Sequence, residues 1–251
     1  MTLMEKILSK KAEVGVVGLG YVGLPLAVEK AKAGYKVIGF DLQKSKVDMV
    51  NAGHNYIGDV VNEDLQALVK EGKIQATTDF ERIMECDTVA VCVPTPLDKF
   101  KQPDLSYVIN STKDIAKRLH KDMLIVLEST TYPGTTEEVM LPILQESGLK
   151  AGKDFYLAFS PERVDPGNIK FKTKNTPKVV GGVTKECTEH AKALYENVLQ
   201  AQVFTVTSPK EAEMTKILEN SFRLINIAFI NEMAIICNKM NINIWEVIQA
   251  A

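Results

Sequence analysis

A carboxylate, an ammonium group and several hydroxyls stand where apolar runs of this chain give way to polar ones. Glu162 follows the run 155–159, within Ser160-Pro161-Glu162-Arg163. A carboxylate there can take or give a proton, or can be an ordinary loop glutamate. Lys216 and Asn220 are four residues apart in a helical stretch and so share a face with Ile217 and Leu224 nearby. On a partly buried face such a pair can stabilise an oxyanion; the alternative is a solvated lysine with an incidental amide. Thr95 lies between Pro94 and Pro96 after the run 88–93, its hydroxyl held by stiff neighbours. The cluster Glu128-Ser129-Thr130-Thr131-Tyr132-Pro133-Gly134-Thr135-Thr136 follows the run 123–127. Part of it must cap a helix starting near Thr135, which leaves only one or two hydroxyls for chemistry.

A second kind of chemistry is written in glycines. Residues 14–17 run directly into Gly18-Leu19-Gly20-Tyr21-Val22-Gly23, and a helical stretch follows. In this arrangement the first glycine permits a tight turn, the second lets the backbone approach a pyrophosphate, and the third lets helix and strand pack closely. The helix start offers unpaired N–H groups and the positive end of its dipole. Asp41 lies 21 residues beyond Gly20, at the end of the second apolar run. That is the distance expected of a carboxylate that binds a ribose, and it favours NAD over NADP because it repels a 2′-phosphate. Lys46, in the next helical stretch, either reaches the cofactor or is a solvated lysine.

These groups need a scaffold. Strands are expected at 12–17, 36–40, 74–76, 88–93, 123–127, 155–159, 178–180 and 203–206, with helical segments between most of them. Apolar strands alternating with helices predict an α/β fold: a doubly wound, mostly parallel Rossmann-type sheet covered on both faces. Ligands of such sheets sit off the carboxyl ends of the strands, where Thr95, the 128–136 cluster and Glu162 all fall. The polar N-terminal stretch 1–11 reads as a partly ordered lead-in. At 208 the pattern changes. Ser208 as a cap, Pro209 in the first helical position and Glu211 as partner in a capping box open a helix with no breaker until about Asn241. The expected division is 1–207 for dinucleotide binding and 208–251 for a helical spine, with a further helix from about Asn243 cut off at Ala251.

Composition excludes several classes of partner. With 30 Lys and Arg against 32 Asp and Glu, the net charge of -2 gives no footprint for nucleic acid or an anionic membrane. No apolar stretch is long enough for a membrane span, and the N-terminus has no signal-peptide core. Cys86, Cys92, Cys187 and Cys237 follow no metal or redox spacing and read as buried, free thiols of a cytoplasmic protein. None of the three histidines is assigned to metal or catalysis.

Taken together, GLGYVG (18–23), VPTP (93–96), ESTTYPGTT (128–136), FSPERVDPGN (159–168) and AEMTKILEN (212–220) resemble the UDP-glucose/GDP-mannose dehydrogenase family along essentially the whole chain. SPERVDPGN with ESTTYPGTTEE is most similar to the UDP-N-acetylglucosamine 6-dehydrogenase branch. The resemblance implies oxidation of C6 of a UDP-sugar from alcohol to acid with two NAD, through a cysteine-bound thiohemiacetal and thioester. It implies that Thr130 orders catalytic water and also lies beside the cofactor. Glu162 would act in acid/base chemistry or thioester hydrolysis, and Lys216 and Asn220 would bind substrate and stabilise oxyanions. Asp41 and Lys46 would contact the adenosine ribose, and Thr95 the cofactor, above the turn formed by Gly18, Gly20, Tyr21, Val22 and Gly23. Asp165 stands near the place of a second family glutamate but at a different spacing, and receives no role. A homodimer through the long helix is expected. So is the absence from these residues of the family's catalytic cysteine and of its C-terminal UDP-binding domain, with NAD binding but no completed turnover. The rivals are the same chemistry on UDP-N-acetylmannosamine or UDP-glucose, a β-hydroxyacid dehydrogenase of similar architecture, and an NAD-sensing module.

Overall fold

Runs such as Thr88–Val91 (TVAV) and Leu124–Leu127 (LIVL) carry no charge and are buried at every position, as central strands covered on both faces must be. In the computed structural model, which describes residues 1–164 and 170–251, they form the middle of a sheet. Its strands are β1 (Glu13–Val17), β2 (Lys36–Phe40), β3 (Ile74–Thr77), β4 (Thr88–Val91), β5 (Leu124–Leu127), β6 (Tyr156–Phe159), β7 (Lys178–Gly182) and β8 (Val203–Val206). Among the described residues the order is β3-β2-β1-β4-β5-β6-β7-β8. The neighbours from β3 through β6 are parallel. β7 then turns against β6, pairing Phe159 with Gly181, and β8 runs parallel to β7. The doubly wound, mostly parallel sheet expected from the sequence is therefore present.

Alternate residues along each strand serve opposite faces. Leu124 and Val126 join one core with Leu24 and Leu26 of α2 (Gly23–Lys32) and Leu194 of α7 (Lys185–Val198). Ile125 and Leu127 join the other with Val108 and Ile115 of α5 (Ser106–Ala116). The order reverses between β1 and β4, so a crevice opens beyond their carboxyl ends.

Two local expectations need correction. The N-terminal stretch forms a helix, Leu3–Leu8, closed by a capping box between Thr2 and Glu5, because Leu3 and Ile7 find burial on the core. The helical stretch after Gly134 opens as a π-helical turn, Thr135–Met140, before continuing as a short α-helix, Leu141–Gln145. At the start of the long helix Pro209–Lys239, the Ser208 hydroxyl accepts the Lys210 N–H at 3.2 Å and donates to Glu211 at 2.6 Å. Glu211 also accepts from the Ser208 backbone, so the expected pairing of Ser208 with Glu211 closes this helix start.

The chain divides into two compact units, Met1–Met214 and Thr215–Ala251. The second contains most of the long helix, which with 31 residues is about 46 Å long at 1.5 Å per residue, and a last helix, Ile244–Ala250. Cys237 lies in the last turn of the long helix. No helix among the described residues is long and apolar enough to cross a membrane.

Candidate functional site

The glycine turn between β1 and α2 is shaped by two different demands. Gly18 adopts φ +90° and donates its N–H to the Phe40 carbonyl at 2.7 Å. A Cβ there would stand 2.6 Å from the Cys92 carbonyl oxygen, and one at Gly23 only 1.8 Å from that of Gly18. These two glycines are required by the fold itself. At Gly20 an added Cβ would meet nothing within 4 Å. The protein supplies no reason for that glycine, whereas a phosphate resting on the turn would. The start of α2 has no side-chain cap; Leu24 and Leu26 already donate to the Gly20 and Val22 carbonyls at 3.1 and 3.2 Å and Pro25 has no N–H, so an anion here would meet the N–H groups of the turn that precedes them. Tyr21 is exposed and Val22 half-buried, both at the helix start.

Asp41, immediately after β2, is fixed beside this turn. One carboxylate oxygen accepts the Leu19 N–H at 2.9 Å and the other accepts the Gln43 N–H at 2.9 Å. The ammonium of Lys46 stands 3.6 Å from the Leu19-bound oxygen. Tyr56 donates to the Leu19 carbonyl at 2.7 Å, and burial together with the Asp41 charge pushes its hydroxyl above the usual tyrosine range. The carboxylate is thus oriented before any ribose arrives.

Across the crevice, the Thr95 hydroxyl donates to the Thr130 carbonyl at 2.7 Å, and Ser129 donates to the Val93 carbonyl at 2.7 Å. Thr130 itself is exposed, whereas Thr131, Thr135 and Thr136 are buried. The turn that follows is closed by a residue from the beginning of the long helix. Buried Glu213 accepts the Gly134 N–H at 2.5 Å, the Thr136 N–H at 2.9 Å and the Thr136 hydroxyl at 2.7 Å. Burial nevertheless raises its pKa, and these three donors only partly offset that.

Glu162 lies beyond β6 at the same rim. One of its oxygens accepts the N–H groups of Arg163 and Val164 at 2.8 and 2.7 Å. The other faces the Lys178 ammonium at 3.7 Å, and that ammonium donates to Glu128 at 2.5 Å. Tyr195 donates its hydroxyl to the remaining Glu128 oxygen. Burial alone would lower the pKa of Lys178, but Glu128 and Glu162 outweigh it and the net direction is upward. The same burial, reinforced by Glu128, pushes Tyr195 and Cys92 upward. A pocket of about 220 Å³ runs along α2, lined among others by Tyr21, Val22, Pro25, Glu29, Lys32, Asp59, Glu162 and Lys172; Asp41, Thr95, Thr130 and Lys178 do not line it.

The first unit therefore gathers the turn, Asp41 and Lys46 on one side, Thr95 and Thr130 on another, and Glu162 on the pocket shared with Tyr21 and Val22. Lys216 and Asn220 belong to the second unit, on the long helix. There Lys216 and Ile217 are half-buried, while Asn220 and Leu224 are exposed, so the partly buried face expected of this pair extends only to its first member. All four cysteines are free and buried. Burial raises the Cys86 thiol to about 12 and pushes Cys92 well above its ordinary range, so neither offers a thiolate near neutral pH. Among the described residues no cluster of His, Cys, Asp and Glu is arranged to hold a metal. Asp165 and the remainder of its motif through Asn168 lie outside the described residues.

Sequence reasoning passed over Glu128 as a functional carboxylate, and over Lys178, Tyr195 and Glu213 entirely. A lysine opening a strand looks like a solvated edge residue, and the hydrogen-bond partners of Glu213 are 77 and 79 positions away. The one local signal was the acidic residue at the head of ESTTYPGTT, which follows directly on four buried strand positions.

Residues 12–199 match the sequence profile described as the UDP-glucose/GDP-mannose dehydrogenase family, NAD binding domain, and residues 210–251 match that family's central domain. The chain is 40% identical over 243 residues to a UDP-N-acetyl-D-glucosamine 6-dehydrogenase of Pseudomonas aeruginosa, covering 96% of this chain and 57% of that protein. It is also 40% identical over 248 residues to a UDP-N-acetyl-D-mannosamine dehydrogenase of Campylobacter jejuni, covering 95% and 60%. Among solved structures, the UDP-N-acetylmannosamine dehydrogenase of Pyrococcus horikoshii superposes with a TM-score of 0.90 at 35% identity, covering 95% of this chain and 57% of the other.

Proposed function

This chain belongs to the UDP-glucose/GDP-mannose dehydrogenase family, and from that premise we propose that it is the NAD-binding and central part of a UDP-sugar 6-dehydrogenase. Its cofactor is NAD. The chain spans 57% of the length of the Pseudomonas relative, and the activity proposed is that of the whole protein. We read 1–207 as the dinucleotide domain and 208–251 as a central helical segment through which two copies pair.

The observation that carries this reading is the meeting, along one sheet edge, of a glycine turn open at Gly20, a carboxylate pinned at Asp41, and a pocket lined by Tyr21, Val22 and Glu162. These residues fit NAD: the turn that leads into α2 meets the pyrophosphate, and Asp41 with Lys46 meets the adenosine ribose. Bound there, NAD supplies the hydride acceptor. Thr95 and Thr130 would flank the cofactor, with Thr130 also orienting water. Glu162 would hold or accept a proton at the sugar's C6 oxygen, and later from the water that releases the acid. Lys216 and Asn220 would stabilise the developing oxyanion. The substrate we propose is UDP-N-acetylglucosamine, on the strength of SPERVDPGN and ESTTYPGTT. The equal identity to a UDP-N-acetyl-D-mannosamine dehydrogenase keeps that sugar as the second reading.

Because all four thiols are buried, the 251-residue chain is expected to bind NAD without sustained oxidation. Calorimetric titration with NAD should show one site. Gly20→Ala should abolish it while leaving the circular-dichroism spectrum unchanged. NADH should accumulate from UDP-N-acetylglucosamine only with the whole protein. Steady turnover by the 251 residues alone, or undiminished NAD binding by the Gly20 variant, would refute the assignment.

A further inference from the structure

Lys178 is the first residue of β7, and the reversal of β7 against β6 is what brings it to the functional rim. In an all-parallel sheet the beginning of a strand lies at the edge opposite the ligand. Here the end of β6 and the beginning of β7 share one edge, so a lysine from a strand start meets a carboxylate from a strand end. Its ammonium is 2.5 Å from Glu128 and 3.7 Å from Glu162, with side chains 6%, 0% and 15% exposed respectively. Tyr195 closes the far side of Glu128. Lys30, fully buried with no hydrogen bond to its Nζ, and Lys178 both lie against the Tyr195 ring, at 5.7 and 5.3 Å.

A buried ion pair of this kind is a poor device for stability. Withdrawing both charges from water costs several kcal/mol per ion, and well-packed apolar residues in their place often do as well or better. The arrangement makes more sense as a way of fixing Glu162. One Glu162 oxygen is held by two backbone N–H groups. The other is set by an ammonium whose own position is fixed by Glu128 and, through it, by Tyr195. A carboxylate constrained at both oxygens keeps one orientation toward the pocket it lines.

We propose that Lys178, anchored by Glu128 and Tyr195, is a positioning residue that fixes the orientation of the Glu162 carboxylate for proton transfer at the sugar's C6 oxygen. The proposal rests on the reading of Glu162 as the acid/base group. It assigns Lys178 no contact with substrate, so its loss should lower kcat and leave KM in place.

The test uses the whole protein with UDP-N-acetylglucosamine and NAD, comparing the parent with E162Q, E162D and the double variant K178M/E128Q. The double variant removes both buried charges together, so neither is left unpaired, and the amide carbonyl introduced by E128Q can still accept from Tyr195. The expected result is a fall in kcat of about tenfold or more in the double variant, with both KM values within about threefold of the parent. Combining E162Q with K178M/E128Q should then lower kcat no further than E162Q alone. A double variant that keeps kcat within about twofold, while E162Q loses it, overturns the role of Lys178 and leaves that of Glu162 intact. Parent-like turnover by E162Q overturns the Glu162 reading, and this proposal with it. Should the double variant fail to bind NAD, E162D decides, because it draws the carboxylate back by one methylene and leaves the Lys178–Glu128 pair whole. Undiminished kcat in E162D sinks the proposal, and a loss of about tenfold at constant KM supports it.

Discussion

Lys30 has its side chain wholly inside the protein, and its Nζ makes no hydrogen bond. Burial lowers its pKa, and the attraction of Glu128 offsets this only in part. The sign of the consequence follows from proton linkage. When a folded-state pKa is lowered, the unfolded chain binds the proton more tightly, so stability is lost as pH falls through the folded value and is restored only above the unfolded one. Lys30 is therefore a cost at neutral pH. Lys30→Met should stabilise the chain by roughly 1–2 kcal/mol at pH 7, the scale at which apolar replacements of buried charges act. The difference in Tm between variant and parent should narrow as pH rises toward the ordinary lysine value of 10.5. A variant less stable than the parent at pH 7 would show instead that Lys30 stabilises Glu128 by more than its burial costs. Nothing in the local sequence announces this residue. Lys30 sits between Glu29 and Ala31 with a second lysine, Lys32, two positions on, and only the packing of α2 on the sheet separates the buried one from its exposed neighbour.

At the scale of elements, the turn carrying Thr130 is closed by the long helix rather than by its own residues. Glu213 supplies acceptors to the amides of Gly134 and Thr136 just where the chain enters a π-helical turn. Replacing it with alanine strands two buried N–H groups and a hydroxyl. At about 1–3 kcal/mol for each of the three buried groups left unpaired, a loss of roughly 3 kcal/mol or more is expected. Urea denaturation of the 251-residue chain checks this, and a loss below about 0.5 kcal/mol would mean that water or relaxation replaces Glu213. The strands were readable from sequence because four or five consecutive apolar, β-branched residues admit few other fates, and the phosphate turn because glycines at 18, 20 and 23 sit between a strand and a helix. The first helix was not. Its two buried residues, Leu3 and Ile7, are four apart among polar neighbours, and their burial depends on a core made by distant segments. The antiparallel step at β7 was equally hidden, since an apolar strand reads alike in either direction.

For the molecule as a whole, the second unit presents large apolar side chains to solvent. Phe222, Leu224, Ile225, Phe229 and Trp245 are between 62% and 71% exposed. Exposed apolar surface on this scale marks a contact with another protein surface. Paired copies of the chain are the occupant proposed above. Sedimentation velocity should show reversible, concentration-dependent dimers, and a Phe222→Glu, Phe229→Glu double variant should sediment as a monomer with unchanged NAD affinity. A parent that remains monomeric at every concentration would leave this face to a different partner.

The reversal between β6 and β7 has one more consequence. The end of β6 and the start of β7 stand on the same border, so the described residues between them, Glu162 and Lys172 among them, return to the pocket from one side. Replacing 170–176 by the equivalent stretch of a relative, with Glu162 left in place, tests how far sugar preference resides there.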